Sequence, residues 1–460
     1  MNWLLENQPL LATAGGVLAL VVLIVRTRMN AFAALILIAI FSAIAAGMAP
    51  DVAMDTIVKG MGGTLGFIAV VIGLGALFGA ILESSGGVTA LANQMLHNRG
   101  PAAGRWSMGA IGLMVAIPVF LDVALIILAP LVFAMAARAS KPAMLFALPL
   151  LAGLAVGHAL IPPTPGPIAV AEILGTDLGW MIGFGLLIGV VTMPIAGPIY
   201  AGWLDRKGWM PEGAPHHAAG EEEPAPPVMK GSATAILILL PLVLILAGTL
   251  ATTLIPPDAT GGLLLLRHVL YLIGHPFVAL LAACGLAMLF FRGASDAQRH
   301  KLKAGISRAL EPTGAVILVT GAGGAFKQVL VDTGAGTQLA NAALAIGMTP
   351  LIAGYALALL IRVAQGSATV AMITAAGLVA PIASAAGLSA PELALVAIGV
   401  ACGATALSHV NDSGFWLVNR LFGLTERETF QTWSMTATLV SVVGFICASL
   451  LMVLLKVAGV

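Results

Sequence analysis

Apolar runs of bilayer length recur from one end of this chain to the other, and lipid leaves such runs few conformations. The hydrocarbon core holds no water, so every backbone N–H and C=O must be satisfied within the protein. Each long run is therefore expected to be a helix. Of 460 residues, 60% are hydrophobic and 9% charged, and mean hydropathy is +1.04. That composition denotes an all-α polytopic membrane protein with the lipid bilayer as its surroundings. A formal net charge of +1 supplies no basic field for a nucleic-acid partner. Cys284, Cys402 and Cys447 lie far apart in apolar segments, without disulfide or zinc spacing. No metal and no cofactor is expected. The opening Met-Asn-Trp-Leu-Leu-Glu has no basic n-region, so the first apolar segment is expected to be retained rather than cleaved.

In chain order, Leu10–Val25 and Ala31–Met48 read as spans joined by Arg26-Thr27-Arg28. An outside loop with Asp51, Asp55 and Lys59 leads to a third span, Gly62–Leu82, and Gly87–Leu96 reads as an interfacial amphipathic helix. Residues 106–137 are apolar but interrupted by Pro118 and Asp122. The arm Trp106–Ile117 has twelve residues, about 18 Å of helix against a core of about 30 Å. Arg99 and Arg105 precede it, and Arg138 and Lys141 follow the whole segment. A re-entrant hairpin with its tip at Pro118–Asp122 keeps both basic clusters on one side. Residues 142–174 read as a broken helix. Pro142–Leu160 runs into Pro162, Pro163, Pro165 and Pro167, which cannot continue a helix, and the helix resumes at Ile168–Leu174. Trp180–Trp203 crosses back. Residues 205–231, with His216-His217 and Glu221-Glu222-Glu223, read as a cytoplasmic linker, a solvated loop rather than a metal site.

The second half follows the same plan. Ser232–Ile255 and Leu263–Phe291 read as spans, Arg292–Glu311 as a basic polar arm, and Thr313–Leu330 as the next span. Residues 350–386 form a second expected hairpin, whose first arm Pro350–Ile361 again has twelve residues. Residues 391–420 form a second broken helix, interrupted at Ser408–Gly414, and Trp433–Val457 is the last span. Gly73–Leu96 aligns without gaps on Gly321–Leu344 at an offset of 248, with ten of 24 positions identical. At an offset of 251, His158 falls on His409. The chain thus reads as two inverted repeats, residues 1–204 and 232–460, each with five crossings, one re-entrant hairpin and one broken helix. Five is odd, so the second repeat enters from the opposite face. With the N-terminus outside, 16 of the 21 Lys and Arg fall inside and 3 outside, leaving Lys327 and Arg362 within helices. The positive-inside rule supports that orientation, with both termini outside.

The stretch Arg362-Val363-Ala364-Gln365-Gly366-Ser367-Ala368-Thr369 stands at the second hairpin tip. An arginine at membrane depth faces a partner or a wet cavity. Gln365, Ser367 and Thr369 offer hydrogen bonds to a polar ligand, and Gly366 lets backbone approach it. Arg362 is expected to pair a substrate carboxylate, the alternative being an internal ion pair with Asp412. Asp122 at the first tip is the leading proton carrier, since burial raises a carboxyl pKa into a usable range; otherwise it caps the hairpin. Asp412 is the second candidate. His158 and His409 either hold hydroxyls and relay protons or are satisfied core histidines. Asn411 and Asp412 suit a polyhydroxylated ligand, and Thr164 and Gly166 stand in the first break. Inverted repeats with hairpins and broken helices are the build of secondary transporters, whose substrate sits where tips and breaks converge. Half-helix N-termini there favour anions. The ring-forming charges of a channel and the nucleophile–base or zinc motifs of an enzyme are both missing.

Several motifs carry a resemblance. They are Arg28-Met29-Asn30, His158 with Pro162-Pro163-Thr164-Pro165-Gly166-Pro167, Gly323 through Asp332, Gly366-Ser367-Ala368-Thr369-Val370-Ala371, and Ser408-His409-Val410-Asn411-Asp412 before Gly414-Phe415-Trp416. Nearly end to end, the chain resembles the gluconate permease family, proton-coupled sugar-acid symporters of bacterial inner membranes. The resemblance implies a small anionic substrate moved with H+ and a homodimer with a scaffold and an elevator-type transport domain. It also implies a cytoplasmic-membrane location, which makes both termini periplasmic. Family members carry Tyr-Glu where this chain has Leu121-Asp122, often His at Thr164, and Pro at Ser413. A carboxylate survives at the first tip, but the ligand-facing chemistry differs. A small hydroxylated amino acid such as D-serine, carried by some relatives, is the alternative substrate.

Overall fold

The computed structural model describes residues 8–27, 29–213, 226–335, 338 and 347–459, and the regular elements among them are all helices. His216, His217, Glu221–Glu223 and Arg28 lie outside those residues, as do most of the positions between 336 and 346. Nine of the described helical stretches are long and apolar enough to cross a bilayer, by length and composition.

The longest pair sets the middle of the molecule. Helices α1 (Gln8–Thr27) and α2 (Ala31–Ala45) lead into α3 (Pro50–Ser84). Proline at its first turn is tolerated because that N–H has no helical partner, and no breaker follows until Ser85. The helix α14 (Asp296–Asp332) runs antiparallel to α3. Gly60 of α3 packs on Gly324 and Gln328, whereas Ser84 packs on Gly305. At the far end the Thr56 hydroxyl donates to Asp332 at 3.2 Å.

Two further packings repeat one another. Helix α4 (Gly87–Leu96) precedes α5 (Pro101–Val115), α6 (Leu121–Ala139) and α7 (Met144–Leu160). Gly153 and Gly157 of α7 lie on the carbonyls of Gly109 and Leu113 of α5. Beyond α14 come α15 (Pro350–Gln365), α16 (Ala368–Ala385) and α17 (Ala390–Thr405). Gly399 and Gly403 of α17 lie on the carbonyls of Leu351 and Tyr355 of α15. Both pairs run parallel and use glycines four residues apart, since small residues let membrane helices approach backbone to backbone. The core centres on α7, α16 and α17. Every residue of α7 except His158 is buried.

The rest of the chain wraps this core. Helix α8 (Pro165–Leu174) follows the first break, and α9 (Leu178–Pro194) continues through a π-helical turn, Ile195–Ile199, into α10 (Tyr200–Lys207). Then come α11 (Gly231–Leu254), α12 (Gly262–Gly274) and α13 (Pro276–Leu289). The last elements are α18 (Ser413–Leu421), α19 (Glu426–Thr429), a second π turn at Phe430–Ser434, and α20 (Met435–Ala458).

The structure departs from the sequence reading at several points. Asp51, Asp55 and Lys59 are not in a loop but on the first turns of α3, where Asp51 meets the positive helix end. The polar arm Arg292–Glu311 and the span Thr313–Leu330 are mostly one 37-residue helix, α14, about 55 Å long. Leu263–Phe291 is not one span. His275 caps α13 by accepting from the Phe277 N–H, and Pro276 starts that helix. Gly87–Leu96 is a helix, as expected, with one face, Val88, Leu91, Ala92 and Leu96, buried against the protein. The second arms of the expected hairpins, α6 and α16, have 19 and 18 residues, so their length does not separate them from spans. Only the first arms, α5 and α15, fall short at 15 and 16 residues. His158 and His409 are not equivalent: the first lies inside α7 and the second in the loop after α17.

Candidate functional site

Helix α15 ends because Gly366 adopts φ +86, a conformation that suits glycine and closes many helices. A Cβ there would collide with the Asn411 backbone. Ser367 then caps α16, accepting from the Val370 N–H. Facing this tip is the break Ala406–Asp412, between α17 and α18.

Arg362 joins the tip to the break. Its Nε donates to the Ala406 carbonyl at 3.2 Å, one terminal nitrogen to the Gly366 carbonyl, and the other to Asp412 Oδ2 at 2.5 Å. The residue is 3% exposed. Of the two alternatives for Arg362, the internal pair is the one formed. Asp412 Oδ2 also accepts from Ser408 Oγ at 2.5 Å, while Oδ1 accepts from the Gly414 N–H at 3.0 Å and caps α18. Ser408 Oγ in turn accepts from Trp433 Nε1 at 2.7 Å. His409 Nδ1 accepts from the Asn411 N–H, which leaves Nε2 to donate to the Val363 carbonyl at 2.8 Å. With both ring nitrogens engaged by backbone, the imidazole acts as a brace. In a low-dielectric interior each of these polar groups would be costly unpaired, so together they specify one arrangement of tip and break.

A cavity of about 1070 Å³ opens beside this junction. Ligand clefts usually hold about 300–1,000 Å³. Its walls come from Phe120–Asp122 at the first tip, Ala155 and His158 of α7, the second tip, and one face of α18. Of the residues singled out in the sequence, Asp122, His158, Arg362, Gln365, Gly366, Ser367, Thr369, Asn411 and Asp412 line it. His158 Nδ1 and Gln365 Oε1 are buried without a protein partner; buried polar atoms of this kind normally have one.

Three expected site residues are not in this cavity. Thr164 is 4% exposed and its hydroxyl donates to the Ile161 carbonyl at 2.8 Å. Gly166 is buried against the Met372 sulfur. The break is held against other helices: Gly75 of α3 packs on the Pro163 carbonyl, and Gly185 of α9 on the Leu160 carbonyl and the Ile161 side chain. His409 is engaged by backbone and does not line the cavity. The premise for Asp122 also changes. It is exposed and lines the cavity rather than being buried.

The sequence reading missed Arg420, which it counted only among the 16 cations on the inside. Arg420 is exposed, lines the cavity, and has no side-chain partner among the described residues. A signal was present. Ser413, Trp416, Leu417 and Arg420 recur at helical spacing from the start of α18, and all four line the cavity.

Comparison with known proteins agrees with this architecture. The model of the GntP family permeases matches residues 8–455. The low-affinity gluconate transporter of Escherichia coli (strain K12) is 38% identical over 438 residues, covering 95% of this chain and 96% of its own. The high-affinity gluconate transporter of the same strain is 36% identical, covering 96% and 99%. Its Gnt-II system L-idonate transporter is 32% identical, covering 95% and 98%. Among solved structures, the YdaH transporter of Alcanivorax borkumensis matches with TM-score 0.59 at 15% identity, over 93% of this chain and 98% of that one. MtrF of Neisseria gonorrhoeae matches with TM-score 0.59 at 12% identity, over 91% and 93%. At those identities the structures share the fold alone. The relatives named here are transporters rather than enzymes, and a match of this length and identity makes the chain a multi-pass membrane protein of the GntP permease family.

Proposed function

We propose that this protein is a secondary active transporter that takes up gluconate or a related sugar acid with H+ across the bacterial inner membrane. The observation that carries the reading is the cavity itself. It combines an unpaired guanidinium, Arg420, with hydroxyls, amides and two unpartnered polar atoms, the donor set that a polyhydroxylated carboxylate requires. In this reading Arg362 shapes the site and Arg420 meets the carboxylate. His158, Gln365, Ser367, Thr369 and Asn411 hold hydroxyls. Asp122 carries the proton. Asp412 is neutralised by Arg362, so Asp122 is the carboxylate left to balance an incoming anion. Moving both together keeps the charge of the cavity constant.

The antiparallel pair α3 and α14, and the glycine packing used once in each half, support two inverted repeats flanking the 205–231 linker. A homodimer with an elevator-type transport domain, and termini in the periplasm, complete the proposal. The test is binding of gluconate to purified protein. Arg420→Gln should weaken it about 10- to 100-fold with the melting temperature unchanged. Unchanged affinity removes Arg420 from the carboxylate. Saturable binding of D-serine with none of gluconate overturns the substrate class.

A further inference from the structure

A second large hollow, with a separate lining, lies on the surface between the stretch from the first π turn into α10 and the stretch from α19 through the second π turn into α20. It measures about 1060 Å³. Ile195, Ile199, Met435 and Leu439 give it an apolar floor, Trp203 and Trp209 flank it, and Arg206 and Arg427 stand at its rim. Two π turns shape it, Ile195–Ile199 and Phe430–Ser434. Such turns misalign the regular helical bonds. The Gln431 carbonyl of the second turn accepts from the Tyr200 hydroxyl at 2.5 Å, which holds the two walls together.

The electrostatics select the occupant. Arg206 and Arg427 are exposed, make no ion pair among the described residues, and no acidic side chain lines the groove. The acids nearest in sequence are engaged or outside it. Asp205 pairs with Lys141 at 3.3 Å, Glu428 accepts from Thr425, and Glu426 does not line the groove. The tryptophans are 39% and 62% exposed, as in the aromatic belt at headgroup level. Apolar floor, aromatic flank and cationic rim follow one another as acyl chain, glycerol and phosphate do in a lipid. A second copy seated here by two-fold symmetry would bring the same arginines together with no carboxylate in the groove to meet them.

We infer that this groove binds an anionic phospholipid, its acyl chain along Ile195 and Ile199 and its phosphate between Arg206 and Arg427. Basic pockets between membrane helices recognise anionic headgroups in this way. The probe is phosphatidylglycerol against phosphatidylcholine on full-length protein, with retained lipid counted by native mass spectrometry. Wild type should retain phosphatidylglycerol preferentially, and Arg206→Gln with Arg427→Gln should cut retention about 10- to 30-fold. The control Arg99→Gln with Arg138→Gln, which removes equal charge elsewhere, should not. Equal loss in the control means surface potential alone and overturns the site, as does equal retention of the two lipids. Wild-type protein tests the inference without the arginine variants. Phosphatidylglycerol with brominated chains should quench tryptophan more than the brominated choline lipid, and Trp203→Phe with Trp209→Phe should remove the difference. Equal quenching overturns the inference, and so does ready disulfide formation between two copies through Ile199→Cys, which would place a second chain in the groove.

Discussion

The two helix breaks solve one problem in different ways. Each must end a helix inside the bundle without stranding backbone groups in an apolar medium. The first, Ile161–Thr164, uses prolines, which lack the N–H that would need a partner, and packs against Gly75 of α3 and Gly185 of α9. The second, Ala406–Asp412, keeps its N–H groups and carbonyls and supplies them with side-chain partners: Arg362, His409, Ser408 and Asp412. A proline break is a wall, insensitive to charge. A polar break can respond to a ligand or a proton, and it is the one that borders the cavity. The comparison explains why Thr164 and Gly166 are packing residues, whereas Asn411 and Asp412 stand at the site.

Removing the central cation should separate the breaks most sharply. Arg362→Ala strands Asp412 and the Ala406 and Gly366 carbonyls, and breaking a buried pair from one side costs about 3–5 kcal/mol. The melting temperature should fall accordingly. Asp412→Asn added to Arg362→Ala should restore part of it, because the stranded charge is gone. A single variant as stable as wild type would mean that the pair does not hold the second break.

Gly366→Ala comes next. The left-handed conformation and the Asn411 backbone both oppose a Cβ, with a cost on the order of 1–3 kcal/mol. Thermal unfolding should place it below wild type but above Arg362→Ala.

A smaller effect is expected of the histidines, with opposite signatures. His409→Leu removes the donor to the Val363 carbonyl and should cost about 1–2 kcal/mol. His158→Leu leaves no bonded partner behind and should be at least as stable as wild type, with gluconate binding weakened. Equal destabilisation in both would erase the assignment of one as brace and the other as ligand group.

The smallest effect on stability is predicted at the first tip. Asp122→Asn changes an exposed side chain and should leave the melting temperature unmoved. Proton-driven accumulation should be lost while counterflow persists. Full accumulation by that variant would shift the proton to another group.

Much of this protein was legible in its sequence because the constraints are local. Bilayer-length apolar runs make helices wherever they occur, and prolines at 162–167 end a helix in any surroundings. Ser408–Gly414 declared a second interruption by polarity alone. Two errors concern where helices end, one where no local signal stood and one where a short signal was passed over. No breaker separates Asp51 from Ser84, so α3 absorbed a supposed loop, while Gly274 and His275 ended α12 inside a run that looked continuous.

The candidate site was legible as a set of residue types but not as an arrangement. An arginine at membrane depth needs a partner, and the sequence offered two, a ligand or Asp412. Only packing α15 beside the loop after α17 brought the second within reach, with residues 50 positions apart at 2.5 Å. The same packing turned His409 toward a backbone carbonyl and placed Arg420 on the cavity face of α18. Helical periodicity determines which residues share a face. Which face meets water is set by the neighbouring helices, through contacts that no local pattern encodes.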